Sequence, residues 1–168
     1  NSTPGAGTSF KLILPLTLAI IEGMLVACGK ERYIIPSLMI VESVQPTSEM
    51  VRTPSRDTEV INVRGELMPL LRLARLFDIP ESEQDPANAR VVVVESAGSK
   101  LGLMVDDVLT QQQVVIKPLS AGLGDTDFLA GAAILSDGRV GLILNVERLS
   151  SVFGARRRST SESREFAA

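Results

Sequence analysis

Ile61-Asn-Val-Arg-Gly65-Glu-Leu-Met-Pro-Leu-Leu-Arg-Leu-Ala-Arg-Leu76 and Ile134-Leu-Ser-Asp-Gly138-Arg-Val-Gly-Leu-Ile-Leu-Asn-Val-Glu-Arg-Leu149 follow one plan. Each reads as a short apolar strand, a glycine turn, a second apolar strand and a few residues at helical spacing. With Gly65 set on Gly138, Leu67, Leu70, Leu71, Leu73 and Leu76 fall on Val140, Ile143, Leu144, Val146 and Leu149. Asp137-Gly138 is the dipeptide favoured in tight hairpins, whose central residues need positive φ, and Gly65 meets the same need less specifically. Two similar small β units in one chain are therefore expected.

Composition narrows the function classes. The chain has 168 residues, enough for one domain or two small ones with real cores. It is 45% hydrophobic with 4% aromatic residues and no tryptophan, so its cores must be aliphatic. The net charge of −3 and the lack of a basic stripe interleaved with aromatics argue against a nucleic-acid partner. The absence of histidine removes Ser-His-Asp and Cys-His catalysis, histidine metal sites and histidine phosphorylation. A single cysteine, Cys28, can form no internal disulfide.

Strands are expected over Phe10 to Leu14, over Leu16 to Cys28 with a bulge or bend at Glu22-Gly23, and over Arg32 to Pro36 after a Gly29-Lys30-Glu31 turn. The stretch Leu12 to Gly29 has a second reading. Leu25-Val26-Ala27-Cys28 also resembles a lipoprotein cleavage box, with Cys28 as the lipidated residue, although Glu22 and Pro15 interrupt the apolar run. Gln45 to Glu59 reads as a surface loop and Pro80 to Ala89 as a connector and internal boundary. Arg90 to Glu95, Leu101 to Val105 and Val108 to Ile116 read as strands. Short helices are expected over Leu71 to Phe77 and Val146 to Phe153, and disorder from Gly154. Many short strands with no long helices between them point to two small barrels rather than a parallel doubly wound sheet.

Several further runs resemble the CheW-like regulatory domain of the chemotaxis histidine kinase CheA. They are Val60-Ile-Asn-Val-Arg-Gly-Glu66 with Pro69-Leu70, Gly102-Leu103 with Val105-Asp106, Gln113-Val-Val-Ile-Lys-Pro-Leu119, Ala130-Gly-Ala-Ala-Ile-Leu135, and Asp137-Gly-Arg-Val140 with Leu142-Ile-Leu144. Gly5-Ala-Gly-Thr-Ser-Phe-Lys-Leu12 and the residues after it resemble the end of that kinase's ATP-binding domain. The resemblance implies an all-β fold of two SH3-like β-barrel subdomains with a few short helices. Its expected organisation is a leader or kinase-domain tail over 1–15, the CheW-like domain over 16–153 with subdomains near 16–85 and 90–153 that exchange strands, and a disordered tail over 154–168.

The same resemblance implies a cytoplasmic docking module recruited to membrane receptor arrays. Its partners would be a CheW-type adaptor, chemoreceptor tips and the rest of the kinase, with no cofactor, no nucleic acid and no membrane insertion. A stand-alone coupling protein remains an alternative. The candidate partner surface is the hairpin Arg64, Gly65, Glu66, Leu67 and Met68, of which strand alternation sends either Leu67 or Met68 to the core. Gly5, Gly7 and Thr8 match a nucleotide-lid segment in which glycine N–H groups approach phosphate, but the remainder of such a site lies upstream in the kinase, so no ATP binding is expected here. An enzyme would have to draw on Asp106-Asp107 or on Asp125 with Asp127, acids that more often serve as turn formers. Asn145 stands where many relatives carry Asp, which places a local ion pair in question.

Overall fold

A computed structural model describes residues 2–3, 7–8, 19–119 and 127–153. The expected strand over Phe10 to Leu14, Asp125 and the Arg156-to-Ala168 tail lie outside the described residues. A short pair, β1 (Ser2–Thr3) with β2 (Gly7–Thr8), precedes the main fold. The strands that follow are β3 (Ile20–Cys28), β4 (Glu31–Pro36), β5 (Ile40–Val44), β6 (Val51–Ser55), β7 (Thr58–Val63) and β8 (Glu66–Arg72). The one-turn helix α1 (Leu73–Leu76) leads to β9 (Arg90–Ser96), β10 (Ser99–Val105), β11 (Asp107–Val115), β12 (Leu129–Ile134) and β13 (Val140–Leu144). Helix α2 occupies residues 146–153.

The strands form a six-stranded sheet in the order β5-β9-β10-β8-β7-β6 and a five-stranded sheet in the order β11-β3-β4-β13-β12. Each closes in the same manner. In the first, β5 and β6 are consecutive in the chain but lie at opposite ends of the sheet, so the turn between them joins its edges. In the second, Lys117, just past β11, exchanges backbone hydrogen bonds with Ala132 of β12 at the far end (2.8 and 2.9 Å). Each also contains one parallel contact, β8 with β10 and β13 with β4. These are two SH3-like barrels. The 80–89 connector runs between β8 and β9, two strands of the same sheet, whereas the chain passes from one sheet to the other at 37–39 and at Asp106.

The valine run of β9 shows why these strands are apolar on both faces. Val91 and Val93 point into the first barrel with Ile61, Met68 and Leu70. Val92 and Val94 point outward into a second cluster, shared between barrels, with Leu101, Leu103, Val26, Tyr33, Leu144 and both helices. Leu25, Ile34 and Ile143 fill the other barrel. A strand buried on both sides loses the hydrophobic–polar alternation of a surface sheet.

Two local expectations are corrected. β3 runs through Glu22-Gly23 without a break, the two residues paired in register with Gln113 and Gln112 of β11, and the bulge lies farther along that ladder, at Leu109 of β11 opposite Leu25 and Val26. Gly23 serves a packing need instead, because a Cβ there would collide with the Ile34 side chain. The 45–59 segment contains the edge strand β6, whose ladder with β7 shifts between Arg52 and Ser55, around Pro54. An edge is where a proline, lacking an N–H, is tolerated. The Leu25-to-Cys28 stretch is buried β-strand, so of its two readings the strand pair is the one observed.

Candidate functional site

The β7–β8 hairpin turns on two residues, Arg64 and Gly65, both at positive φ (52° and 87°). This matches the right-handed twist of the flanking strands, and a non-glycine residue at the first position carries some strain. The Asn62 side chain steadies the turn by accepting the Gly65 N–H at 2.9 Å. Beyond the turn, Met68 is 3% exposed and faces Ile61 inside the barrel, so it is corrected from surface to core. Alternation leaves Leu67 outside, 48% exposed. Leu67 shares its outward face with Leu71, but Leu71 lies under the second barrel and Leu67 lies beyond its reach.

The charged residues at the tip are paired with strands distant in sequence. Arg64 Nη2 lies 3.3 Å from Glu42 Oε2 of β5, and Glu66 Oε2 accepts from Lys100 Nζ of β10 at 2.7 Å. That hydrogen bond holds the Lys100 ammonium above its ordinary pKa, and the Glu66, Glu95 and Glu42 charges push the same way against desolvation. A raised lysine pKa means the favourable contact is intact at neutral pH and is lost only as pH rises through the folded-state value. Glu42, Glu95 and Lys100 are the members of this face that sequence reasoning missed. No local motif announces them, since only strand order brings β5, β9 and β10 to the hairpin.

The other candidates have structural occupations. Asp106 accepts from Gly29 N (2.6 Å), Ser82 Oγ (2.5 Å) and Glu83 N (2.9 Å). Asp107 caps the Val108 N–H, and Asp127 pairs with Arg148 at 3.3 Å. Among the described residues, no group of three or more His, Cys, Asp or Glu is arranged to hold a metal ion. Gly7 and Thr8 form β2, and Gly5 lies outside the described residues. Cys28 is fully buried, with its thiol 3.5 Å from Ser82 Oγ. Burial pushes that thiol pKa up, Asp106 adds to the rise and the Ser82 hydrogen bond opposes it. Burial likewise raises the Tyr33 phenol, helped by charges at Cys28 and Glu31. No helix among the described residues is long and apolar enough to cross a membrane.

The family model for the CheW-like domain matches residues 22–153. The chain belongs to the CheW-like domain family. The CheW-like domain is 38% identical over 149 residues to the chemotaxis protein CheA of Klebsiella aerogenes, covering 89% of this chain and 23% of that protein. It is 45% identical over 144 residues to CheA of Treponema pallidum, covering 85% and 18%. The domain thus spans less than a quarter of these curated relatives. Among solved structures it resembles the scaffolding protein TtCheW of Thermoanaerobacter tengcongensis, with a TM-score of 0.65 and 26% identity over 74% of this chain and 88% of that one. Asn145 precedes α2, and its Oδ1 accepts the Arg148 N–H at 3.0 Å. Helix capping is a task that Asn performs as well as Asp.

Proposed function

We propose that this domain is the regulatory and scaffolding part of a chemotaxis histidine kinase, docking a CheW-type adaptor and chemoreceptor tips to control a kinase activity carried by the rest of the protein. In this reading the domain itself catalyses nothing, residues 1–15 continue from the ATP-binding domain, and the whole works in the cytoplasm at receptor arrays. A stand-alone coupling protein would use the same surface. The observation that carries the reading is the first hairpin face: exposed Leu67 beside Arg64 and Glu66, whose charges are held in place by Glu42 and Lys100. An apolar anchor within an ordered charged rim is how partner surfaces achieve both burial and discrimination. One barrel end of this size suits a transient contact of about 1,200 Å² or less.

The test is calorimetric titration with a CheW-type adaptor. The double variant Arg64→Glu with Glu66→Lys sets like charges against Glu42 and Lys100. It is expected to move the melting temperature only slightly, because exposed pairs contribute little, and to weaken binding about tenfold or more. A stable double variant with full binding would move the contact to the hairpin around Asp137-Gly138. No binding of the unaltered domain at high micromolar adaptor would end the docking reading.

A further inference from the structure

The connector after α1 leaves its own barrel before returning to it. From Ile79 to Asp85 it crosses the joint between the barrels and lies against the β3–β4 turn of the other one. Gly29, at the tip of that turn, has φ +57°, and the place a Cβ would take is occupied by Ile79, whose Cγ2 is 2.7 Å from it. Beside it, Lys30 Nζ meets Glu81 Oε2 at 2.9 Å in an exposed pair.

The fixed point beneath is Asp106, the single residue between β10 of one sheet and β11 of the other. Its backbone N–H donates to Ala27 O of β3 at 2.9 Å. One carboxylate oxygen holds the turn through Gly29 N, and the other holds the connector through Ser82 Oγ and Glu83 N. A second clamp comes from the first barrel, where Arg72 Nη1 donates to Gln84 O at 2.7 Å. Ile79 is the strap's apolar anchor, while Glu81 and Gln84 face solvent. Residues 79–85 are thus held largely by polar contacts, over a joint whose barrels are packed through an apolar cluster of their own.

Two features lie under or beside the strap. Cys28 is fully buried, and its sulfur touches the same Ser82 hydroxyl that binds Asp106. A cleft of about 340 Å³ opens alongside, its lining combining the acids Glu31 and Asp78 with apolar residues that include Ile79 and Pro80, so the start of the strap forms one of its walls. Two of its lining rings, Tyr33 and Phe77, stack with 4.9 Å between centroids.

We propose that residues 79–85 are a latch on the joint between the two barrels, released as a unit when Asp106 lets go of Gly29, Ser82 and Glu83, while both barrels stay folded. Release uncovers Cys28 and reshapes the cleft. Segments with few buried apolar contacts open at lower free energy than the core beneath them, and polar anchoring places this strap in that class. The device goes beyond the docking role and stands whether or not the first hairpin is a partner surface.

Cys28 is the only cysteine in the chain, so thiol labelling reads the latch directly. The experiment measures the rate at which the unaltered protein and its Asp106→Asn, Ser82→Ala and Lys30→Ala variants react with an aromatic disulfide reagent, across a range of urea below the unfolding transition. Latch opening exposes little surface, so the unaltered protein should label with a weak urea dependence, well below that of global unfolding. Asp106→Asn replaces an acceptor oxygen by a donor and should accelerate labelling about tenfold or more, since hydrogen bonds to a charged group are the stronger ones. Ser82→Ala should give a smaller acceleration, and Lys30→Ala, which removes only the exposed pair, none. If Cys28 reacts only with the full urea dependence of global unfolding, or if Asp106→Asn and Ser82→Ala leave its rate unchanged, there is no latch. Should Asp106→Asn fail to fold, the urea dependence of the unaltered protein and of Ser82→Ala decides.

Discussion

The first barrel is one continuous stretch, residues 40–105, and the second is assembled from 20–36 and 107–144, yet the two reach the same design. In each, an edge strand, β5 or β11, pairs antiparallel with the first strand of a hairpin. That hairpin's second strand makes the parallel contact with the repeated β-hairpin, which ends the second sheet and is followed in the first by the extra edge strand β6. One irregularity corresponds as well. The edge strands β5 and β11 both bulge, at Val41 and Leu109, and both bulged residues are exposed (46% and 44%). The pairs that align in sequence also share environments. Leu70 and Ile143 fill their own barrels, Leu71 and Leu144 enter the shared cluster, and Leu67 and Val140 stay exposed. One packing solution therefore tolerates two chain connectivities, because a barrel needs its strands as neighbours and not in any particular chain order.

The units differ where they meet the rest of the molecule. Position 72 of the first corresponds to position 145 of the second. Asn145 caps its own helix, whereas Arg72 makes a two-pronged pair with Glu59 (2.7 and 2.9 Å) and also reaches the strap. The turns differ as well. Arg64-Gly65 is a two-residue turn. The second hairpin makes a longer one in which Gly138 N–H bonds to Leu135 O, and of its residues Gly138 has positive φ (82°). Asp137-Gly138 is the dipeptide a tight hairpin prefers and Gly65 is the less specific signal, yet the two-residue turn is the one at Gly65.

The largest effect is expected where the barrels are joined. Leu103→Ala empties part of the shared cluster and should cost about 2–5 kcal/mol. If the two barrels are one cooperative unit, calorimetry will show a single transition shifted down; two resolved transitions would break that unity. Next is Arg72→Met. It leaves Glu59, whose side chain is 11% exposed, with only the more distant Arg75 at 3.4 Å, and should cost about 3 kcal/mol in urea unfolding. A loss no larger than that of an exposed pair would mean that Arg72 is not structurally distinct from its counterpart. The smallest is Asn145→Ala, which removes a helix cap and should cost about 1 kcal/mol. Asn145→Asp should restore that stability, and failure to do so would show that more than capping is asked of the residue.

Much of this was legible in the residues. The glycine-centred repeat located both hairpins, and the valine and leucine runs marked the buried strands. Leu67 and Met68 were correctly posed as a pair of which one is core, but not which one, because the phase of a strand is set by its neighbours and not by its own residues. Glu42 and Lys100 were invisible as companions of Arg64 and Glu66, since they lie on strands that only sheet order brings close. Asp106 was singled out as an acid in a loop. Its three partners come from a turn 77 residues away and a connector 23 and 24 residues away.

By itself the sequence determined the aliphatic β class, the repeated unit, the want of histidine chemistry and the family to which the chain belongs. These depend on composition and on short-range periodicity, which a chain carries locally. Tertiary structure alone decided which strands share a barrel, which face of β8 is buried, and that the 79–85 connector crosses to the opposite barrel. Each of these is a contact between residues far apart in the chain, fixed by which apolar faces meet and which polar groups pair when the two sheets close.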